Sequence, residues 1–374
     1  MPCQSCGYEQ LKEILDLGNQ PLCNSFTLER VEQKKYPLVL CYCPKCSLVQ
    51  LSEVLAREVV FGKDFNYLSS SSKSVRQYYQ GLAERHYAYF KPRSVLEVAG
   101  NDGVYLKHFP CPSLNVEPAP KAAEIAQTHG VRTLTEYFED VELEPEFDLI
   151  AAFDVLAHAE KVHEILDKVS LLMSDSTVFI AQFHSLKSLV EKIEFDTIYH
   201  EHIRFFSLPS FSYLLGLHGL QVFGYEETSF YGGSIIAYCR KGIPHVVGES
   251  ITESELKEFA KRAQAKAQGL REFVLEAKSR GKKIVGIGAP MKASTLLSYC
   301  RLDSSAIDYL TETNPLKAGR FSPQGIPVYE DSRMLEDRPD IALVLSWNMY
   351  DSIVSKLRPL LPDTEFVNPM YVLA

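Results

Sequence analysis

The sequence predicts an α/β protein in which a small N-terminal zinc-ribbon module precedes two Rossmann-like domains. Three observations support this prediction: two C-x-x-C pairs near the start of the chain, a strand that ends in a glycine turn at residues 97–103, and a second glycine turn at residues 286–289. The 374 residues, 46% of them hydrophobic, suffice for two or three cores. We expect domains over residues 1–70, 71–250 and 251–374.

The first domain is predicted from four cysteines, Cys3 with Cys6 and Cys43 with Cys46. Two such pairs can deliver four thiolates to one tetrahedral Zn²⁺, and this leaves no position for water, so the zinc is expected to be structural. Buried or disulfide-bonded cysteines are the alternative. The opening MPCQSC has no basic, apolar leader. A reducing cytoplasm is therefore expected, which favours metal over disulfide.

Composition argues against two classes of partner. The chain has 39 Lys plus Arg against 48 Asp plus Glu, and the formal net charge of -9 offers no general attraction to phosphate backbones. Nucleic-acid binding is therefore a minor alternative. No apolar run approaches the roughly 20 residues that a membrane-spanning helix needs. We expect a soluble cytoplasmic protein without a membrane partner.

The segment that follows the second cysteine pair is predicted to lead into the central domain through one helix. Short strands are expected on either side of that pair within Leu38–Leu51, and a helix is expected at Ser74–Phe90, ending before Pro92. A serine run, Ser69 to Ser72, lies just before the helix. It is either a solvated cap region or a pocket wall whose hydroxyl and N–H groups meet an anion such as a phosphate.

The central and C-terminal domains are predicted from alternating strands and helices, which are typical of doubly wound parallel sheets. In the centre we expect strands at Ser94–Val98, Ser113–Val116, Val131–Leu134, Phe147–Ala152 and Thr177–Phe183, with helices from Val104, within Lys121–Gly130 and at Val162–Met173. In the C-terminal third we expect a helix at Glu253–Ser279 and strands at Lys282–Gly286, Ile307–Leu310, Ile341–Leu345 and Glu365–Val367.

The first glycine turn is the predicted cofactor site. Its G-x-x-G allows backbone N–H groups to approach a ligand, and the acid at the end of the next strand can accept hydrogen bonds from both ribose hydroxyls. Domains for NAD(P) and for S-adenosylmethionine (SAM) both place an acid there. The turn lacks the full G-x-G-x-x-G, and its acidic neighbours suit cationic SAM; a purely structural turn is the alternative. The residues assigned to the cofactor are Glu97, Gly100, Asn101, Asp102, Gly103, Glu117 and Pro118.

The densest group of titratable residues is Tyr199-His200-Glu201-His202. A histidine beside a carboxylate is suited to proton transfer because its pKa lies near operating pH. On strand alternation, Tyr199 and Glu201 would face one way and the two histidines the other. A solvated surface loop is the alternative.

Three further features are candidates for substrate contact. His158 follows a predicted strand and so is expected at the carboxyl edge of the sheet, where ligands bind, although a lone histidine is as often structural. The segment Tyr231 to Ser234 is either a hairpin turn alone or part of a site. Lys292 lies in the first turn of a helix that follows Pro290, where a cation is unfavourable for the helix dipole, and this indicates that it faces an anion.

Taken in order, these motifs resemble those of the nucleotide-sugar C-methyltransferases, three-domain enzymes that methylate C3 of 4-keto-deoxysugars. The resemblance covers nearly the whole chain and rests on the cysteine pairs with Gln20-Pro21-Leu22 and Asn24-Ser25-Phe26, the turn 97–103, residues 199–202, and residues 286–292 with Asn314-Pro315-Leu316-Lys317. It implies SAM as cofactor and a nucleotide-linked 4-keto-6-deoxysugar as substrate, with a dTDP sugar as the favoured case.

The resemblance also implies roles for single residues. It implies that His202 is the base, that Tyr199, Glu201 and His158 assist it, and that Tyr67 lines the substrate pocket. The remaining substrate contacts are expected from Ser69, Ser70, Tyr231 and Lys292, and the zinc is expected to fasten a small lid near Tyr67. The sequence departs from the family at Ala99, where relatives often have glycine or cysteine, and at Tyr231, where many have histidine. An O- or N-methyltransferase, a zinc-ribbon nucleic-acid protein and an NAD-dependent dehydrogenase are the alternatives.

Overall fold

The computed structural model describes residues 1–61, 68–144 and 147–372, which form three sheets. The N-terminal module contains β1 (Lys12–Pro21), β2 (Lys35–Tyr42), β3 (Val49–Leu51) and the short helix α1 (Arg57–Val60). Its three strands form an antiparallel meander. The first C-x-x-C pair precedes β1 and the second lies between β2 and β3, as the apolar runs around the second pair predict.

The central domain alternates strands and helices as predicted. Its elements are α2 (Lys73–Phe90), β4 (Val95–Val98), β5 (Ser113–Val116), α3 (Pro120–Thr128), β6 (Arg132–Leu134), β7 (Leu149–Phe153), α4 (Val162–Leu172), β8 (Val178–His184), α5 (Leu186–Lys192), β9 (Arg204–Phe205), α6 (Leu208–Gly216), β10 (Leu220–Thr228) and β11 (Ser234–Lys241).

The central sheet has the strand order β10-β11-β8-β7-β4-β5-β6. Strand β4 pairs in parallel with β5 on one side and with β7 on the other, whereas β11 is antiparallel to both β8 and β10. The strand order reverses at β4, and in such sheets a ligand crevice opens beyond the carboxyl ends of the strands at the reversal. The first glycine turn leaves β4 at this point.

The predicted helix from Val104 is wrong. Only a short 3₁₀ turn, Leu106–His108, follows the glycine turn before β5 begins. Pro110 and Pro112 lie in the short connection to β5, and each removes a backbone donor and disfavours helical geometry at the residue before it. The connection is therefore too short and too rich in proline for a helix.

The C-terminal domain repeats the doubly wound arrangement on a smaller scale. Its elements are α7 (Glu253–Ser279), β12 (Ile284–Ile287), α8 (Met291–Tyr299), β13 (Tyr309–Thr311), β14 (Val328–Tyr329), α9 (Ser332–Asp337), β15 (Ile341–Val344), α10 (Tyr350–Leu357) and β16 (Glu365–Val367). The sheet order is β14-β13-β12-β15-β16, and all its strands are parallel. The order reverses at β12, and the second glycine turn follows this strand.

The three parts are joined by shared cores and by one shared sheet. Leu15 and Leu40 of the N-terminal module belong to the same buried cluster as Phe195 and as Leu256 of α7. Strand β9, which follows the central titratable segment, pairs with β3 and becomes the fourth strand of the N-terminal sheet. The boundaries near residues 70 and 250 stay predictions. None of the described helices is long and apolar enough to span a membrane.

Candidate active site

The four cysteines of the two pairs come together as predicted. Their sulfur atoms all lie within 4.8 Å of one another, and the Sγ atoms of Cys3 and Cys46, and of Cys6 and Cys43, are 3.5 Å apart. Four thiolates around Zn²⁺ at about 2.3 Å would lie about 3.8 Å from each other. The donor set therefore fits a structural zinc with no open position.

The zinc module contacts the central domain directly after residues 199–202. Gln4, inside the first cysteine pair, donates its backbone N–H to the Gln50 side chain at 2.7 Å, and its side chain lies 3.4 Å from the Ile203 carbonyl. The pocket segment around Tyr67 lies outside the described residues, so the predicted lid stays a prediction.

The first glycine turn has the backbone that close approach of a ligand requires. Ala99, Asn101 and Gly103 all have positive φ, at 49°, 51° and 70°. A Cβ on Gly100 would lie 2.6 Å from the Glu97 carboxyl carbon, so no larger residue fits there without displacing that side chain. Ala99, the departure from related sequences, adopts this turn without glycine.

Three acidic side chains surround the turn. Glu117 accepts hydrogen bonds from the backbone N–H groups of Asn101 and Ala119, each at 2.8 Å. Among the described residues, Glu97 Oε2 and Asp102 Oδ1 are buried and have no hydrogen-bond partner. Burial, together with the neighbouring acids, raises the pKa of Glu97 well above its usual value. A cationic ligand with hydroxyl groups satisfies this surplus of acceptors, so the residues fit SAM.

Pro118, the last residue assigned to the cofactor, and the serine run lie next to the turn. Pro118 is half-buried where the chain turns from Glu117 into α3. The backbone N–H groups of Ser69 and Ser70 donate to Asn101 Oδ1 and Asp102 Oδ2, each at 2.9 Å. These donors therefore dock the serine run on the turn instead of facing an anion. Contact of either serine with substrate stays a prediction.

Residues 199–202 form a tight turn, and the predicted strand alternation is wrong. The His202 N–H donates to the Tyr199 carbonyl at 2.9 Å, so the first and last side chains of the segment meet. The Tyr199 hydroxyl lies 2.8 Å from His202 Nε2. The other imidazole nitrogen, Nδ1, is 2.7 Å from the Thr197 carbonyl. A carbonyl only accepts, so Nδ1 carries the proton and neutral His202 presents a basic Nε2 that accepts from Tyr199.

His158 joins this pair from the carboxyl edge of the central sheet, as predicted. Its Nδ1 donates to the Glu201 carbonyl at 2.6 Å, and its ring centroid lies 4.7 Å from that of His202. Burial lowers the pKa of both imidazoles, and that of His202 falls well below its usual value because His158 also opposes a second positive charge. Both histidines are therefore neutral at physiological pH.

The carboxyl group of Glu201 points away from the two histidines. Cys23 Sγ donates to Glu201 Oε1 at 3.0 Å, while Oε2 has no hydrogen-bond partner among the described residues. Burial raises the pKa of Glu201 to about 7. Glu201 therefore exchanges its proton near neutral pH, and Cys23, which sequence reasoning did not single out, is its partner.

A second polar group at the same sheet edge was also missed. Asp154, at φ 58°, accepts from Gln182 Nε2 at 2.7 Å, and the Tyr78 hydroxyl donates to Gln182 Oε1 at 2.5 Å. His184 Nε2 lies 3.0 Å from Glu194 Oε2. Asp154 and His184 end or follow adjacent strands of a parallel sheet. That position is the pattern in the sequence that would have found them.

The two remaining candidates lie in different domains. Tyr231 is in the connection of the β10–β11 hairpin, at φ 53°, and is 37% exposed. Lys292, on α8, donates to Asn348 Oδ1 at 3.0 Å and lies 3.4 Å from the centroid of the Trp347 ring. Trp347 in turn donates to Asp196 Oδ2 at 2.6 Å. Burial lowers the pKa of Lys292 to about 8. The roles of both residues stay predictions.

Comparisons with known proteins agree with this architecture. Three family models match successive parts of the chain: a zinc binding domain at residues 3–61, a methyltransferase domain at 72–223 and a C-methyltransferase C-terminal domain at 248–370. C-methyltransferase NovU from Streptomyces niveus is 28% identical over an alignment that covers 96% of this chain and 93% of NovU.

Solved structures align with part of the chain. A protein from Pyrococcus horikoshii, 16% identical, aligns with a TM-score of 0.40 over 47% of this chain and 94% of its own. An S-adenosylmethionine-dependent methyltransferase from Clostridium acetobutylicum, 13% identical, aligns with a TM-score of 0.38 over 50% of this chain and 96% of its own.

Proposed function

The chain is a SAM-dependent C-methyltransferase with a structural zinc site, and on that premise we propose that it methylates C3 of a nucleotide-linked 4-keto-6-deoxysugar, in the simplest case a dTDP sugar. The observation that supports this most is the neutral His202, whose basic Nε2 lies beside Tyr199 and His158 at the carboxyl edge of the SAM-binding sheet. Methylation at carbon needs such a base because the carbon of a C–H bond has no lone pair and becomes a nucleophile only after its proton is removed, whereas a hydroxyl oxygen already carries lone pairs.

The proposed reaction begins with proton removal at C3. His202 Nε2 takes the proton, and the electron pair of the C–H bond moves into a C3–C4 double bond as charge develops on the C4 oxygen. His202 is suited to this step because burial keeps it neutral and the Thr197 carbonyl holds the proton on Nδ1. In the structure the Tyr199 hydroxyl occupies the Nε2 lone pair, so it turns away when substrate enters.

The displaced hydroxyl has a role in the same step. Tyr199 donates a hydrogen bond to the C4 oxygen and stabilises its developing charge. His158 was the alternative donor, but its single N–H already donates to the Glu201 carbonyl, so it presents only an acceptor to the substrate. Glu201, with its unpartnered Oε2, contacts the sugar from the other side of the turn. SAM, when bound at the first glycine turn, would supply the electrophilic methyl group, and cleavage of the methyl–sulfur bond would leave the neutral thioether S-adenosylhomocysteine. Return of the electron pair from the enolate to C3 then forms the new C–C bond and restores the ketone.

The nucleotide end of the substrate is assigned to the C-terminal domain. Lys292 is half-buried, and its pKa of about 8 leaves it largely protonated at neutral pH and able to pair with a phosphate. Tyr67, Ser69, Ser70 and Tyr231 complete the proposed substrate contacts.

The test is an assay of turnover and proton exchange with full-length protein. Incubation with SAM and a dTDP-4-keto-6-deoxysugar should yield S-adenosylhomocysteine and a product heavier by one methyl in place of hydrogen. In deuterated water without SAM, the C3 hydrogen should exchange. No turnover across dTDP, GDP and UDP keto sugars would refute the substrate class.

His202→Asn should slow both turnover and exchange by about 10²–10⁴-fold and leave SAM affinity intact. The matched control is His245→Asn, an exposed histidine, which should behave as wild type. Unchanged exchange in His202→Asn would remove this residue as the base.

A further inference from the structure

Arg204 is a buried cation that contacts the loop carrying His158. It is the first residue of β9, is 3% exposed and lies opposite Gln50 of β3. Its guanidinium donates to three carbonyls of the loop: those of Leu156 at 3.2 Å, Ala159 at 2.5 Å and Glu160 at 3.2 Å. The backbone N–H groups of Ile203 and Arg204 both donate to the Ala157 carbonyl. Residues 156–160 are thus held around His158 by one side chain and one strand.

The charge of this guanidinium has no conventional partner. Within the described chain no carboxylate forms an ion pair with it, and its Nε has no hydrogen-bond partner. A buried, unpaired charge is strongly destabilising unless an opposite charge lies close by. Gln4, inside the first cysteine pair, lies next to Arg204 in the fold: its side chain donates to the Ile203 carbonyl, and its N–H donates to Gln50, the residue opposite Arg204. Burial lowers the pKa of Arg204, and the negative charge of Cys3, ahead of that of Glu160, opposes this lowering. Cys3 is one of the four zinc ligands.

The zinc site supplies the missing charge. Four thiolates and one Zn²⁺ leave two net negative charges, and one of these thiolates, Cys3, acts on the cation that binds the His158 loop. The guanidinium binds the loop carbonyls and belongs to the strand that pairs with the zinc module. This arrangement needs both the positive charge and the forked geometry of arginine.

We propose that Arg204 is a positioning residue that couples the zinc site to the methyl-transfer site. The negative charge of the tetrathiolate stabilises the guanidinium, and the guanidinium fixes the loop that brings His158 against His202. The zinc thereby contributes to the geometry of two histidines it does not bind. The catalytic part of this inference rests on the proposed function, whereas the coupling itself does not.

The first test measures zinc retention in the full-length, zinc-loaded protein with a colorimetric chelator. Arg204→Met, which keeps volume and removes charge, should release zinc about 10–100-fold faster than wild type. Arg204→Lys, which keeps the charge but not the fork, should retain zinc better than Arg204→Met. Arg280→Met, at an exposed helical ion pair, is the control and should match wild type. Wild-type zinc release in Arg204→Met would overturn the coupling, whatever happens to activity.

The second test takes its main result from the wild-type protein, which does not depend on the folding of a variant. In wild-type protein with labelled histidines, removal of zinc should shift the imidazole resonances of His158. Zinc-loaded Arg204→Lys should show a shift in the same direction, and kcat should fall while SAM affinity stays constant. If the His158 resonances did not shift on zinc removal, the proposal would be overturned. A resonance shift in a protein that fails to methylate any keto sugar would leave the coupling standing and refute only the proposed substrate.

Discussion

The two glycine turns have the same position in their sheets but opposite electrostatic surroundings. Each follows the strand at which the sheet order reverses, and each has a glutamate at the end of the next strand, Glu117 in one and Glu312 in the other. Glu312 accepts the Ala289 N–H at 2.9 Å, as Glu117 accepts that of Asn101. The backbone architecture therefore does not distinguish them.

The surrounding side chains do distinguish them. The first turn adds two acids with unpartnered oxygens, whereas Glu312 is saturated by the N–H groups of Ala289, Thr313 and Asn314. At the second turn the additional charged groups are cations: Lys317 donates to the Ala289 carbonyl at 2.8 Å, and Lys292 lies on the helix that follows. Surplus acid suits a cationic cofactor and surplus lysine suits an anionic nucleotide. The charge left unsatisfied by the fold, rather than the turn itself, indicates the ligand.

The largest effect is expected from Gly100→Ala. The new Cβ would overlap the Glu97 carboxyl group and close the cradle of the first turn, so SAM affinity should fall at least about 100-fold, or about 2.7 kcal/mol. Gly288→Ala is the counterpart in the second turn, at φ 81° and with Ser346 Oγ at 2.4 Å from the new Cβ. It should leave SAM affinity unchanged. Calorimetric titration with SAM distinguishes the two, and equal losses would contradict the division of roles.

Lys292→Met should raise KM for the nucleotide sugar about 10–100-fold, because a charge-assisted contact with phosphate is lost. In the wild-type protein, the contribution of Lys292 to KM depends on pH. Lys292 is charged below its pKa of about 8 and neutral above it, so wild-type KM should rise as pH increases from 7 to 9, while that of the variant stays flat. The exposed Lys261→Met is the control. If KM changed with pH in the same way in wild type and in Lys292→Met, Lys292 would not be the residue that binds the anion.

Glu117→Gln should weaken SAM binding about tenfold, since the amide keeps one acceptor but loses the charge and places a donor against backbone N–H groups. Glu312→Gln makes the equivalent change in the second turn. It should lower thermal stability without weakening SAM binding. A loss of SAM affinity in Glu312→Gln would show that the two turns act on one ligand.

The smallest effect is expected at Cys23. Its thiol donates to Glu201, which favours the carboxylate, so Cys23→Ala should raise the pKa of Glu201 further above its value of about 7. In a plot of kcat against pH, the limb that reports Glu201 ionisation should then move to higher pH by less than about one pH unit. Cys23→Ser restores a donor and should restore the profile. Identical profiles in all three proteins would exclude the contact as a determinant of the Glu201 pKa.

Local patterns in the sequence predicted most of the fold. The helix Glu253–Ser279 was predicted with its observed bounds because its amphipathic pattern is uninterrupted, and in the structure a capping box of Thr252 with Glu255 begins it. The metal site formed by the four cysteines was predicted because the geometry of metal binding dictates the spacing within each C-x-x-C pair. The strand assignment of residues 199–202 failed because four polar residues have no hydrophobic period from which to choose between strand and turn.

The rest of the site depends on contacts between distant parts of the chain. Cys23 and Glu201 are 178 positions apart, and Arg204 contacts a loop 44 to 48 positions before it. No local propensity encodes such pairs. Asp154 and Gln182 were accessible in principle, because the ends of adjacent parallel strands lie together. Neither residue belongs to a recognised motif, so only its position at a strand end indicates it.

The pairing of β9 with β3 has a consequence for how this chain is made. A strand of two residues, Arg204–Phe205, pairs with Val49–Leu51 of the N-terminal module, which precedes the central domain in sequence. The N-terminal sheet therefore exposes an open edge throughout synthesis until Phe205 has left the ribosome, and an open edge is a template for pairing with foreign strands. A central domain produced without residues 1–61 would carry the complementary edge permanently. Dividing this enzyme at its domain boundaries should yield aggregating fragments, and co-expression of the two pieces should restore solubility.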